Sequence, residues 1–154
     1  MSVKRLGRGD EPTLELLAIN DAEFDLDGRG VSLVPLDAEA AQCFLANPAV
    51  LFWTEVEDDA IVGFLYCLVV PLRSGLGQEV LLYEIGVSHK WRRRGCGRAL
   101  LTAMEAWMRD NRVDEVWVLA DNPVAVEFYR GCGFGVEGEQ PTYMTRESGG
   151  GVVH

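Results

Sequence analysis

Cysteine and histidine are scarce in this 154-residue chain, with four Cys and two His. Cys43, Cys67, Cys96 and Cys132 are widely scattered, with no C-x-x-C pair and no histidine at ligand spacing. That pattern signals neither a zinc site nor a disulfide framework, and the four read as reduced core or loop thiols. No run approaches the roughly 18 apolar residues of a membrane span, and the opening MSVKRLGRGDEP has no secretory apolar stretch; a cytoplasmic location is the expectation. Base is scarce as well. Against 24 Asp and Glu there are 14 Lys and Arg, a net charge of −10. Such a balance argues against nucleic acid or an anionic membrane as the main partner and favours a neutral or cationic one.

What the chain does have is enough apolar residues, 48%, for one well-buried core, so residues 1–147 read as a single domain and 148–154 as a flexible tail. Its charges are segregated. Between Asp21 and Asp59 lie ten acids and one base, Arg29, whereas Lys90 to Arg112 holds seven bases and two acids. Two sites of opposite sign, or the solvated faces of ordinary helices, both account for that separation.

Hydrophobic periodicity supplies the elements. VKRL (3–6) suits a short strand, and DEPTLELLAIN (10–20) a helix that Asp10 would cap and Pro12 would start. DAEFDLDGRGVS breaks the pattern as an exposed loop, and DAEAAQCFLAN (37–47) is a second helix stopped by Pro48. Two apolar β-rich runs near 50–56 and 60–70, joined at EDD, read as a hairpin. EVLLYEIGVS (79–88) is nearly all apolar and therefore central, Glu84 being the exception. Ala99, Leu100, Ala103, Met104 and Trp107 recur at helical spacing from Cys96 to Arg109. EVWVLA then reads as a strand, NPVAVEFYRGCG as a short helix and PTYMTRE as a last strand. The mixed order gives an α/β fold around a mixed sheet.

The bases concentrate in KWRRRGCGRAL (90–100). A strand that runs into a glycine turn and then a helix makes an anion cradle. The first helical amides lack internal partners, and the helix dipole adds partial positive charge. Gly95 and Gly97 let the backbone approach its ligand closely, and Arg92, Arg93, Arg94 and Arg98 flank it with charge-assisted donors. The stretch satisfies neither the P-loop pattern nor G-x-G-x-x-G. It does satisfy R-x-x-G-x-G from Arg92 to Gly97, and the ligand it suits is a pyrophosphate.

With LLYEIGVSHKWRRRGCGRALLTAMEAWM followed by VWVLADNPVAVEFYRGCGF, most of the chain resembles the GCN5-related N-acetyltransferase (GNAT) superfamily. There a [Q/R]-x-x-G-x-[G/A] loop between strand and helix binds the pyrophosphate of acetyl-CoA. The segments YEIGV (83–87), PVAVEFY (123–129) and AEFDLD (22–27) are most similar to those of aminoglycoside 3-N-acetyltransferases. The resemblance implies the GNAT fold: a mixed, mostly antiparallel central sheet flanked by helices, with a splayed central strand and a pyrophosphate-binding loop.

It also implies site residues. Glu84, a carboxylate in a mostly apolar strand, is the candidate base, acting directly or through a water; a solvent-facing acid is the other reading. Tyr129 matches the superfamily tyrosine that protonates the coenzyme A sulfur, or else is a core aromatic beside Phe128. Gly86 would ease a bulge that splays the strand, and the backbone of Ile85 and Val87 would bond the pantetheine arm. The loop 92–98, including Cys96, would hold the pyrophosphate. Asn122 is either a pantetheine ligand or a helix cap, and Ala125 follows it in the same motif. Glu23, Asp25, Asp27, Glu55 and Tyr83, with Glu84, would line the acceptor side for a polycation. Trp107 and Trp117 fall at core periodicity, and His89 reads as a surface residue.

The activity implied is transfer of acetyl from acetyl-CoA to an amine of a cationic small molecule, in its sharpest form the 3-amino group of an aminoglycoside, by a homodimer. A polyamine, another amine metabolite or a protein N-terminus as acceptor remains open, as does a non-catalytic acyl-CoA sensor, because fold and cofactor motif do not encode the acceptor.

Overall fold

The computed structural model describes residues 2–24, 33–75 and 77–149, and the chain divides into two compact units, residues 1–119 and 120–154. In the first, β1 (Ser2–Arg5) precedes α1 (Glu11–Ile19), a 3-10 turn (Asp21–Glu23) and α2 (Ala38–Ala46). Then follow β2 (Val50–Glu57), β3 (Ala60–Pro71), β4 (Gln78–Val87), a second 3-10 turn (His89–Trp91), α3 (Cys96–Asp110) and β5 (Val116–Val118). The second unit carries α4 (Pro123–Gly131). The strands form one mixed sheet in the order β1-β2-β3-β4-β5, antiparallel throughout except for the parallel β4–β5 pair. The expected GNAT-type α/β architecture is the one observed.

Local chemistry accounts for the helix ends. Asp37 caps α2, its Oδ1 accepting from Ala40 N–H at 2.8 Å. Asp10 precedes α1 but its side chain makes no cap. Its carboxylate instead takes Lys4 Nζ at 2.6 Å and Gly7 N–H at 2.8 Å, and these bonds hold its proton affinity below the usual carboxylate range.

Strand alternation sorts the side chains onto two faces. One face carries Leu51, Trp53, Leu65, Cys67 and Leu82, matched in cross-strand register. It packs against Leu100 and Met104 of α3, with Cys67 Sγ 3.7 Å from Met104 Sδ. The other face carries Phe52, Phe64 and Tyr66 in stacked contact. It forms a core with Leu17 of α1, Phe44 and Leu45 of α2, and Phe24. Phe24 is buried, so this part of the expected exposed loop is anchored.

The last expected strand, PTYMTRE, is not one: residues 141–147 have no regular structure, and Tyr143 and Met144 are 81% and 84% exposed. Strand propensity is realised only against a pairing neighbour, and among the described residues the sheet ends at β5.

Register decides the shape of β4. Tyr66 faces Glu84, but the next residue, Cys67, faces Leu82, which leaves Tyr83 as an extra residue in a β-bulge. Pairing with β5 covers only Val80–Leu82 and stops where the bulge begins. Bulges bend and twist a strand, so β4 departs from its parallel neighbour at Tyr83, three residues before the expected Gly86.

Candidate active site

The glycine turn expected to cradle an anion lies between the 3-10 turn that follows β4 and the start of α3. Gly95, at φ 85°, precedes α3 and offers no side-chain cap, and the first helical bond runs from Ala99 N–H to Gly95 O at 3.0 Å. The amides ahead of Ala99 therefore have no helical acceptor. A Cβ built on Gly95 would meet nothing within 4 Å, so the approach to those amides is open.

The four arginines do different things. Arg94 lies over the Trp91 ring, 5.0 Å from its centroid, a cation–π contact that fixes its stem. Arg93 is exposed with φ 61°, and Arg98 is exposed on the first turn of α3. Arg92 donates Nε to the Val87 carbonyl at 3.2 Å, while its Nη2 is buried without a partner. Cys96, inside the turn, is buried. Burial first, then the neighbouring Glu55, pushes its thiol above the ordinary range, which makes it an inert thiol.

The ladder geometry gives β4 an open edge. Ser88 N–H donates to Val62 O of β3 at 2.8 Å. By antiparallel alternation Gly86 and Glu84 then also bond β3, and the backbone groups of Ile85 and Val87 point the other way. On that side β5 pairing has already ended. Apart from the Val87 carbonyl, which takes Arg92 Nε, this edge has no strand partner among the described residues, a geometry that suits an extended amide-bearing arm. Gly86 has a different job from the one expected. A side chain there would collide with the Phe64 ring and come within 3.1 Å of Phe24, so glycine makes room for aromatic packing.

The bulge also sets which side chains share the face of Glu84. Tyr83 and Glu84 are consecutive, and regular alternation would send them to opposite faces. Instead the Tyr83 ring, 60% exposed, meets Tyr66 edge-on at 5.3 Å, and Glu84 pairs opposite the same Tyr66. Glu84 keeps contact with solvent. Even so, partial burial of its carboxyl raises its proton affinity, and the charge of Asp21 raises it further. Burial likewise pushes the Tyr66 phenol up, with smaller contributions from Tyr83 and Glu84. Glu23 is exposed on the same 3-10 turn as Asp21; Asp25 and Asp27 lie outside the described residues.

Glu55 does not join this group. It pairs with Gly63, in register with the α3 face, and has 0% exposure. Its carboxylate lies beside Cys96, on the opposite side of the sheet from Glu84. Run of acids was the only signal for it, and strand alternation overrides that signal.

Two residues were missed. Asp21 acts electrostatically on Glu84, and Tyr66 stands opposite Glu84 in register and feels its charge. Asp21 belongs to the acidic stretch but precedes the AEFDLD segment. Tyr66 is hidden in an apolar strand and found only through register.

In the second unit, Asn122 caps α4: its Oδ1 accepts from Ala125 N–H at 2.8 Å, and its Nδ2 donates to Asp121 at 3.1 Å. Asn122 and Ala125 thus already satisfy each other. Tyr129 is buried between Phe128 and Phe134, both at 5.3 Å centroid distance.

A five-stranded mixed sheet whose central strand turns from its parallel neighbour ahead of a glycine turn and helix is an α/β arrangement of the GNAT type. The chain belongs to the acetyltransferase (GNAT) family, which matches residues 16–134 and generally uses acetyl-CoA as its acetyl donor. A mycothiol acetyltransferase of Segniliparus rotundus is 28% identical over 141 residues, 89% of this chain and 53% of the relative. The L-amino acid N-acetyltransferase AaaT of Escherichia coli is 34% identical over 95 residues, 58% of this chain and 56% of that protein. The chain thus spans about half the length of the curated relatives it matches. Among solved structures, an aminoglycoside acetyltransferase from an uncultured soil metagenomic sample, in complex with sisomicin, superposes with a TM-score of 0.80 at 24% identity, covering 95% of this chain and 96% of that one. At that identity the likeness establishes the fold.

Proposed function

We propose that this chain is an acetyl-CoA-dependent N-acetyltransferase whose acceptor is an amine of a cationic small molecule, the 3-amino group of an aminoglycoside in its sharpest form. The observation that carries the reading is the placement of Glu84. Its carboxyl stands on the aromatic face of β4, beside Asp21 and Tyr66, one residue from the open backbone edge at Ile85.

The residues present fit acetyl-CoA. Amides of the turn before Ala99 and the arginines 92–94 and 98 would hold the diphosphate, and the open edge at Ile85 and Val87 would receive the arm. The bound cofactor would supply an acetyl carbon activated as a thioester. Glu84, with its raised proton affinity, would take the proton that the amine loses on attack, directly or through a water. Asp21 and Glu23 would concentrate and orient a multiply protonated acceptor, an effect screened by salt. Tyr129 is proposed, by its motif position, as the proton donor to the departing thiolate. A cytoplasmic homodimer is the proposed state.

Release of coenzyme A measured over a panel of aminoglycosides, polyamines, amino acids and peptides tests the acceptor. Turnover of aminoglycosides with a KM that rises with ionic strength supports the sharp version; no turnover of any aminoglycoside retires it. The relatives named for mycothiol and L-amino acids support a second reading, a smaller polar amine, which the same panel distinguishes. Binding of coenzyme A without turnover of any amine would indicate a sensor.

A further inference from the structure

Glu55 is an anomaly that the proposed chemistry leaves unused. It has no solvent exposure, and neither carboxylate oxygen has a hydrogen-bond partner of proper geometry. A buried carboxylate left so is costly in a folded protein. The weak thiol donor of Cys96, the first residue of α3, lies against it. Glu55 therefore sits directly behind the turn whose outer side forms the anion cradle.

The groups that act on it are few. Burial dominates and raises its proton affinity; Glu57, on the same strand, raises it too. Cys96 lowers it, and Arg94 acts on the Cys96 thiol. The residues in register beside Glu55 are Val3 on β1 and Gly63 on β3, and neither titrates. None of the arginines of the turn supports the Glu55 charge directly, and its nearest contact is Cys96 at the start of α3. A diphosphate held on the outer side of that turn would add negative charge close to a buried carboxylate already short of positive partners, and so favour its neutral form.

We propose that anion binding at the 93–98 turn is proton-linked through Glu55, so that a diphosphate-bearing ligand is taken up together with a proton on this buried carboxyl. The proposal rests on the diphosphate reading of the turn given above. It makes Glu55 a positioning residue that stabilises the loaded turn by becoming neutral, with no contact to the reacting atoms.

Linkage fixes the sign. Affinity is highest where Glu55 is already protonated, falls as pH rises through its value in the empty protein, and levels off above its value in the complex. Within that window the Kd of coenzyme A rises by up to about tenfold per pH unit. The test is the ratio of Kd values for the native chain and Glu55→Gln across pH, in which the ligand's own titration cancels. Titration calorimetry in buffers of different ionisation heat counts the protons taken up. A ratio that climbs with pH, with proton uptake present in the native chain and reduced in the variant, supports the proposal. Equal slopes and equal proton counts overturn it. Should Glu55→Gln fail to fold, difference infrared spectroscopy of the native protein decides. A protonated-carboxyl band that grows on addition of coenzyme A supports the link, and an unchanged band overturns it. If the native chain binds no coenzyme A at all, the diphosphate reading has failed first, and the proposal with it.

Discussion

Arg92 Nε donates to the Val87 carbonyl at 3.2 Å, which ties the anion turn to the last residue of β4. Because Ser88 N–H points to β3, the Val87 carbonyl points to the open edge, and Arg92 closes that edge at its upper end. An arginine serving only as a phosphate ligand would affect every diphosphate ligand equally. A tie between turn and strand would instead govern how well the two halves of the cofactor site act together. Arg92→Gln is expected to weaken coenzyme A more than 3′-phospho-ADP, which has the diphosphate but no arm. Equal losses for the two ligands would return Arg92 to a plain phosphate contact.

Glu84 carries a prediction in pH. Asp21 contributes to its raised proton affinity, so Asp21→Asn should lower it and move the acid limb of kcat/KM toward lower pH. Glu84→Gln should cut kcat by about 10²–10⁴-fold. The same substitution has the opposite effect on stability. A carboxyl whose folded-state pKa is raised contributes stability that is full below the ordinary value of 4.5 and lost as pH rises through the folded value. At neutral pH the glutamine variant should therefore unfold at higher denaturant than the native chain. An acid limb that stays in place in Asp21→Asn would separate the two residues.

How much of this was legible follows from which interactions are local. Helix periodicity located α3, and the glycine turn ahead of it was legible together with its arginines, because both are written in consecutive residues. The hairpin and β4 were likewise readable from apolar runs. Register was not. The extra residue at Tyr83 exists only in the match between β3 and β4, and it decides that Tyr83 and Glu84 share a face while Glu55 lies on the other. Tyr66 became visible for the same reason, and Asp21 only through the charge it brings to bear on Glu84. The last strand was misread because Thr and Tyr favour pairing without naming a partner.

Gly86 supplies a packing prediction. An alanine Cβ would run into the Phe64 ring and lie 3.1 Å from Phe24, in a core already closed by the Phe24–Phe64 edge contact. Overpacking of this kind costs about 1–3 kcal/mol, so Gly86→Ala should lower unfolding stability by that amount in urea titration. Phe64→Leu in the same chain should recover part of the loss. Were Gly86 needed chiefly for a bulge, shrinking Phe64 would recover nothing.

The turn itself separates strain from charge. Arg93 has φ 61°, within the left-handed region that ordinary residues reach at modest cost, whereas Gly95 has φ 85° and ψ 6°, beyond its usual bounds. No atom lies near a Cβ at Gly95, so any penalty there is backbone strain alone. Gly95→Ala should therefore destabilise by about 1–2 kcal/mol and weaken coenzyme A, since relaxing the turn re-aims the amides ahead of Ala99. Arg93→Gly relieves the milder strain while removing one charge, so it should weaken coenzyme A without lowering thermal stability, and its residual affinity should depend less on salt. A Gly95→Ala variant that binds as tightly as the native chain would mean that arginine side chains, and not turn amides, hold the anion.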